Sequence, residues 1–324
     1  MTFLDAVRLK VKDLNKTIVF PEGNDARVLM AANYLQKEGI LDCLVLGNAD
    51  DIKQVAGENH VDLEVVQIVD PAASEYFESF ANTYFQLRKH KNISRQQSID
   101  ALRNPLFYGA MMVRENQCDG SVAGAVNTTG DVLRAAIQII GLAPGIELVS
   151  STFEMVFDGE KVLTYADCAV VPQPDPLQLA DIAISSAETH KKLTGKEPYV
   201  ALLSFSTKGS AKHEMVDKVQ EAVAIAKSKQ PDLKIDGDLQ VDAAIVTSIG
   251  ERKAPGSPVA GKANVFIFPD LNAGNIAYKI TERLAGARAV GPIIQGLAKP
   301  ANDLSRGCSW KDIVDVACIC SLLN

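Results

Sequence analysis

The chain has 324 residues, 47% hydrophobic and 23% charged, and its 33 basic against 40 acidic side chains leave a net charge of −7. That length exceeds one typical domain and predicts two globular units, while the mildly acidic balance excludes a general polyanion binder and argues against a nucleic-acid partner. The N-terminal segment scatters charges among its apolar residues, unlike a secretory signal, and no apolar run approaches the roughly 20 residues that span a bilayer, so a cytoplasmic setting without membrane contact is expected.

In chain order, β-branched runs and apolar residues at helical spacing predict a strand over 17–21, a helix over 26–37, strands over 43–46 and 65–69, a helix over 74–89, a strand over 121–126 and a helix over 131–140. There the Pro-Gly turn in Gly141-Leu142-Ala143-Pro144-Gly145 breaks the rhythm and suggests a domain crossing. Beyond it come a helix over 177–191, a strand over 199–205, a helix over 210–227, strands over 243–246 and 265–268, a helix over 272–284 and, after Gly291-Pro292, a final helix over 310–323. The alternation is that of parallel sheets with crossover helices, an α/β protein. The tail after Gly291-Pro292 is too short for its own core, so the expected division is a discontinuous first α/β domain, 1–144 plus 293–324, with a second, 145–292, inserted into it.

Cys43, Cys118, Cys168, Cys308, Cys318 and Cys320 form no C-x-x-C pair, and His60, His90, His190 and His213 stand at no ligand spacing, so no metal site is expected. No G-x-G-x-x-G, Walker or G-x-S-x-G pattern is present either, which disfavours ordinary dinucleotide and ATP cradles and a serine hydrolase.

Four strand-to-helix turns carry small polar residues: Pro21-Glu22-Gly23-Asn24-Asp25-Ala26-Arg27, Asn127-Thr128-Thr129-Gly130-Asp131, Ser206-Thr207-Lys208-Gly209-Ser210 and Asp270-Leu271-Asn272-Ala273-Gly274-Asn275. The unpaired amides and positive dipole end of a helix start attract phosphate, yet the same residue types are preferred helix caps with no ligand at all. More informative is the glycine-bounded loop Gly296-Leu297-Ala298-Lys299-Pro300-Ala301-Asn302-Asp303-Leu304-Ser305-Arg306-Gly307-Cys308-Ser309. Arg306 offers a planar fork that matches phosphate, and Ser305 can donate to a developing oxyanion; pairing of Arg306 with a surface carboxylate is the competing reading. Ser309-Trp310-Lys311-Asp312 matches a variant capping box, and a carboxylate there would also lie at the same end of the helix as the anion loop.

At this loop the chain resembles the phosphate acetyltransferase family, through Asn127-Thr128-Thr129-Gly130-Asp131-Val132-Leu133-Arg134-Ala135, Tyr165-Ala166-Asp167-Cys168-Ala169-Val170, Phe268-Pro269-Asp270-Leu271-Asn272-Ala273-Gly274-Asn275-Ile276-Ala277-Tyr278-Lys279 and Asn302-Asp303-Leu304-Ser305-Arg306-Gly307. The resemblance spans nearly the whole chain. It implies two α/β domains with an interdomain cleft, similar to isocitrate and isopropylmalate dehydrogenases, and the reversible reaction of acetyl-CoA and phosphate to acetyl phosphate and CoA, by direct thiolate attack in a ternary complex. It further implies Asp312 as base for the thiol, Ser305 at the oxyanion and Arg306 at the phosphoryl group, with substrate contacts from Arg88, Asn127, Thr128, Thr129 and Arg134 and, less securely by position, Arg27 and Arg283. No tightly bound cofactor is implied, CoA being a co-substrate, and a homodimer is. A phosphate butyryltransferase, a dehydrogenase of the same general fold and a non-catalytic acetyl-CoA sensor remain alternatives at this point.

Overall fold

The computed structural model describes residues 2–158 and 161–323. They fall into two compact units, one drawn from Met1–Ala143 and Leu297–Asn324 and the other from Pro144–Gly296.

The first unit runs α1 (Phe3–Lys12), β1 (Thr17–Phe20), α2 (Ala26–Lys37), β2 (Asp42–Leu46), α3 (Ala49–Glu58), β3 (Gln67–Val69), α4 (Phe77–Arg88), α5 (Arg95–Leu102), α6 (Pro105–Arg114), β4 (Gly120–Ala123) and α7 (Thr129–Ile139). The middle unit follows with β5 (Ser150–Val156), β6 (Val162–Ala166), α8 (Pro176–Thr194), β7 (Val200–Leu203), α9 (Glu214–Lys229), β8 (Ile235–Leu239), α10 (Val241–Ile245), α11 (Thr247–Lys253), β9 (Val265–Ile267), α12 (Leu271–Ala285) and β10 (Arg288–Gln295). The chain then returns to the first unit for β11 (Ala301–Asp303) and α13 (Trp310–Leu322).

The first sheet has the order β11-β4-β1-β2-β3, and its registers are parallel throughout. β1 and β4 are covered on both faces, which is why Ile18, Val19 and Phe20 are all fully buried and the strand reads as a continuous apolar run. After β1 the chain winds outward through β2 and β3, then returns to place β4 on the other side of β1. The winding direction therefore reverses between β1 and β4, and in an open α/β sheet the carboxyl ends of the strands at such a point are where ligands bind. The turn after β1, the turn after β4 and the loop after β11 all leave the sheet at this end.

The second sheet, β10-β5-β6-β9-β7-β8, is mixed. β6, β9, β7 and β8 are parallel, whereas β10 pairs with β5 and β5 with β6 antiparallel, a departure from the parallel arrangement that the sequence suggests. A connection as short as the one from β5 to β6 can form a hairpin but cannot hold a crossover helix. A second departure is the 243–246 strand, of which 243–245 lie in α10 and Val246 follows it: Ala243 and Ala244 are strong helix formers, and a short apolar run carries no period that separates strand from helix. Conversely, β8 escapes prediction because Ile235-Asp236-Gly237-Asp238-Leu239 looks like a turn, yet all five residues are buried. Lys208 pairs with Asp236, and Gln220 donates to Asp238, so both carboxylates have partners. No helix among the described residues is long and apolar enough to cross a membrane.

Candidate active site

Glu22, in the turn after β1, organises the carboxyl end of the first sheet. Its side chain is 3% exposed. One carboxylate oxygen accepts from the amides of Gly124 and Ala125 at 2.9 and 2.8 Å, and the other from the amides of Val126 and Asn127 and the Asn127 side-chain amide at 3.1, 2.8 and 2.8 Å. A run of successive amides is the kind of concavity that captures anions. Here the amides of 124–127 already hold an internal carboxylate, so the turn after β4 is shaped before any substrate arrives. Thr128 then caps α7 by accepting from the Asp131 amide, and Thr129 begins the helix.

Arg27 clamps three loops together. Nε and Nη2 grip the two oxygens of Asp25 at 3.0 and 2.8 Å, Nη2 also donates to the Ala125 carbonyl at 2.8 Å, and Nη1 donates to the carbonyls of Arg306 and Cys308 at 2.7 and 3.0 Å. A guanidinium has five N–H donors, and these bonds use all of them. Arg27 therefore differs from the substrate contact that resemblance implies: it fixes the backbone of the loop after β11. The Asp25 hydrogen bond outweighs burial and raises the Arg27 pKa. Burial opposes ionisation of Asp25, but the Arg27 side chain and amide prevail and hold that carboxyl below its usual range. Arg27→Lys is expected to lower the melting temperature and turnover together, because an ammonium brings three donors and no fork to five acceptor contacts. A loss of about 1–3 kcal/mol in denaturant unfolding, with kcat down about tenfold, is the expected result.

On the loop so fixed, Ser305, Arg306 and Asp312 are all exposed. Among the described residues no carboxylate forms an ion pair with Arg306, in contrast to Arg27, Arg134 and Arg283. Ser305 Oγ accepts from the Gly307 amide at 3.3 Å. Asp312 forms the capping box: the Ser309 amide and hydroxyl donate to its Oδ2 at 2.9 and 2.8 Å, and its own amide donates to Ser309 Oγ at 3.3 Å. The capping role is thus real, and it pins the carboxylate at the start of α13. Beside it, the Trp310 ring lies 5.4 Å from that of Tyr34 on α2. Burial pushes the Cys308 thiol up in spite of Arg27 nearby.

Asp303, at the end of β11, is 2% exposed. Its Oδ2 accepts from the Thr129 hydroxyl at 2.6 Å, while its buried Oδ1 has no hydrogen-bond partner. Burial, opposed by the Thr129 hydrogen bond and reinforced by the charge of Glu22, pushes Asp303 up to about 6. Gly124, at φ +116°, makes the approach possible, since a Cβ there would collide with Asp303 Oδ1 and the Leu304 amide.

The first unit therefore brings Asn127, Thr128 and Thr129 to the same strand ends as Ser305, Arg306 and Asp312. Arg134 stands on α7 and pairs with Asp131 at 2.6 Å, an exposed pair of little energetic weight. Arg88, the last residue of α4, is half-buried, and its Nε is buried with no hydrogen-bond partner. It interacts with Tyr84, whose hydroxyl donates to Gln138 on α7 at 2.7 Å. Arg283 belongs to the middle unit, on α12, where it is exposed and lies 3.4 Å from Glu282. In that unit Gly274 packs so closely on the Asp167 carbonyl that no side chain fits, and Asn275 donates to the Cys168 carbonyl at 3.1 Å. Asp167 in turn accepts from the amides of Ala169, Val170 and Val171 at 2.9, 3.2 and 2.7 Å.

Sequence reasoning missed Glu22, Asp25 and Asp303 as organising residues. The available signal was a carboxylate inside the 21–27 turn and the 296–309 loop, where a substrate phosphate would be repelled unless the acid were itself occupied.

The family model described as phosphate acetyl/butaryl transferase matches residues 2–321. A phosphate acetyltransferase of Thermoanaerobacterium thermosaccharolyticum is 51% identical over 321 residues, covering 98% of this chain and 97% of that protein. The solved EutD phosphotransacetylase of Staphylococcus aureus superposes with a TM-score of 0.93 at 42% identity, covering 99% of this chain and 97% of that one. A structure described as a 4-hydroxythreonine-4-phosphate dehydrogenase from Salmonella typhimurium, at 10% identity and a TM-score of 0.57, shares the fold alone. Matched from residue 2 to residue 321 and 51% identical to one of its curated members, the chain belongs to the phosphate acetyl/butaryl transferase family.

Proposed function

We propose that the chain catalyses reversible acetyl transfer between coenzyme A and phosphate: acetyl-CoA and phosphate give acetyl phosphate and CoA. The observation that carries this reading is an exposed Arg306, unpaired with any carboxylate among the described residues, on a loop whose carbonyls are held by the five-donor clamp of Arg27. No carboxylate among the described residues competes with an anion for that guanidinium, and its backbone is set in advance. In the acetyl phosphate-to-CoA direction, Asp312 takes the proton from the CoA thiol, sulfur attacks the acetyl carbonyl, Ser305 donates to the oxygen as charge builds, and Arg306 holds the phosphoryl group as the C–O bond to phosphate breaks. The second side-chain N–H of Asn127, the backbone amides of Thr128 and Thr129 and the Arg134 guanidinium supply further donors at the start of α7, and the partnerless Nε of Arg88 supports a contact between that arginine and substrate.

Ordinary carboxyl and thiol pKa values leave a proton transfer uphill by about 4.5 units, roughly 6 kcal/mol. Desolvation and a nearby cation shrink that gap, and alignment of two bound reactants recovers on the order of 7 kcal/mol of the barrier. CoA acts as co-substrate with no tightly bound cofactor, and the working form is a cytoplasmic homodimer. The test is phosphate-dependent consumption of acetyl-CoA by the purified protein, followed as loss of the thioester, with butyryl-CoA run in parallel because the family description spans both acyl groups. Acetyl-CoA left intact in the presence of phosphate would refute the reading.

A further inference from the structure

Asp303 presents an energetic anomaly. A buried carboxylate is costly unless its lone pairs are met by donors, and Glu22 beside it meets that requirement five times over. Asp303 accepts a single side-chain bond, from Thr129, and its second oxygen is buried against Gly124 without a partner. Burial first, and then the neighbouring charge of Glu22, raise its pKa to about 6 against the Thr129 hydrogen bond. A neutral amide of the same shape would remove the charge penalty, so the carboxylate is a poor choice for stability alone.

What it joins explains its presence. Thr129 is the first residue of α7, the helix whose start carries the Asn127-Thr128-Thr129 donors and, further along, Arg134. Asp303 is the last residue of β11, and the chain passes from it through Leu304, bonded to the Ala123 carbonyl at 2.8 Å, directly into Ser305 and Arg306. Glu22 fixes the turn before α7 through its amides; the Asp303–Thr129 bond ties the helix itself to the second loop.

We propose that Asp303 is a positioning residue for the transfer reaction: through the Thr129 hydroxyl it sets the first turn of α7 against the Ser305–Arg306 loop, so that donors from both meet one phosphate. A carboxylate serves this purpose because its bond to a hydroxyl is shorter and stronger than that of a neutral acceptor. The inference rests on the acyl-transfer reading above.

The experiment compares wild type, Asp303→Asn, Thr129→Val, the double variant and Thr129→Ser in the phosphate-dependent assay, with thermal melts alongside. Asp303→Asn and Thr129→Val are each expected to raise the KM for phosphate about tenfold while the KM for acetyl-CoA stays within about twofold, and the double variant is expected to be no worse than either single one, as for two residues acting through one contact. Thr129→Ser, which keeps the hydroxyl, restores most of the loss. A merely structural role would lower the melting temperature without separating the two KM values. Unchanged phosphate KM in both single variants, equal losses for both substrates, or additive effects in the double variant would overturn the proposal; should Asp303→Asn fail to fold, the Thr129 pair decides. An inactive wild type sinks the acyl-transfer reading and this inference with it, whereas an active wild type with unaltered variants sinks this inference alone.

Discussion

Arg306→Ala is expected to lower kcat/KM for phosphate-dependent turnover of acetyl-CoA by about a thousandfold, since a guanidinium aimed at a transferring or leaving phosphate contributes on that scale or above. The size follows from the surroundings of the residue. The other cation of the loop, Lys299, is engaged by the carbonyls of Val113 and Arg114 and by Asn116, so it is not placed to take over the charge. The Arg306 side chain is exposed and packs against no core, so the melting temperature should stay within about 1–2 °C of wild type, as for surface changes within about 0.5 kcal/mol. Arg306→Lys should recover only part of the activity, because an ammonium cannot form the planar two-bond contact with phosphate. Steady-state kinetics with phosphate and acetyl-CoA varied separately provide the check, and near-normal turnover of Arg306→Ala would remove this residue from the chemistry.

For Asp312→Asn, a fall in kcat of about a hundredfold with little change in the KM for CoA is expected, the usual scale for loss of a general base. This substitution is informative because Asp312 already has a structural task. The Ser309 amide and hydroxyl both donate to Oδ2, and an asparagine oxygen can accept the amide bond and preserve most of the cap. Asp312→Ala removes cap and base together, at a further cost of about 1 kcal/mol in stability. Melting curves of the two variants therefore isolate the cap, and kcat isolates the proton acceptor. If Asp312→Asn turned over like wild type, the residue would be a cap and nothing more.

The parts of this architecture that rest on local chemistry were legible from residues alone. Strand β1, helix α2, the start of α7 and the capping box of α13 carry their own signals: buried β-branched runs, Asp25, Thr128 and Ser309 as caps, and apolar residues at helical spacing. Ser305, Arg306 and Asp312 stand out locally only as an oxyanion-gripping loop and a helix cap, and their catalytic roles are what the family resemblance implies. What escaped depends on partners far away in the chain. The Glu22 contacts cross 102 to 105 residues, and the Arg27 bond to the Arg306 carbonyl crosses 279. No local pattern distinguishes an arginine saturated by its own protein from one offered to a ligand, and both types occur here within one family of motifs. β5 and β6 were overlooked for a related reason. Ser150, Ser151, Thr152, Glu154 and Thr164 are polar yet buried, so these strands lack the apolar alternation that marks a sheet.

The placement of Trp310 has a practical consequence. It is the one tryptophan in the chain, it opens the helix that bears Asp312, and its ring rests beside that of Tyr34. Intrinsic indole emission from this protein thus originates at a single known spot, next to the carboxylate assigned to the thiol. Whatever disturbs the first turn of α13 becomes visible in the ultraviolet without a label.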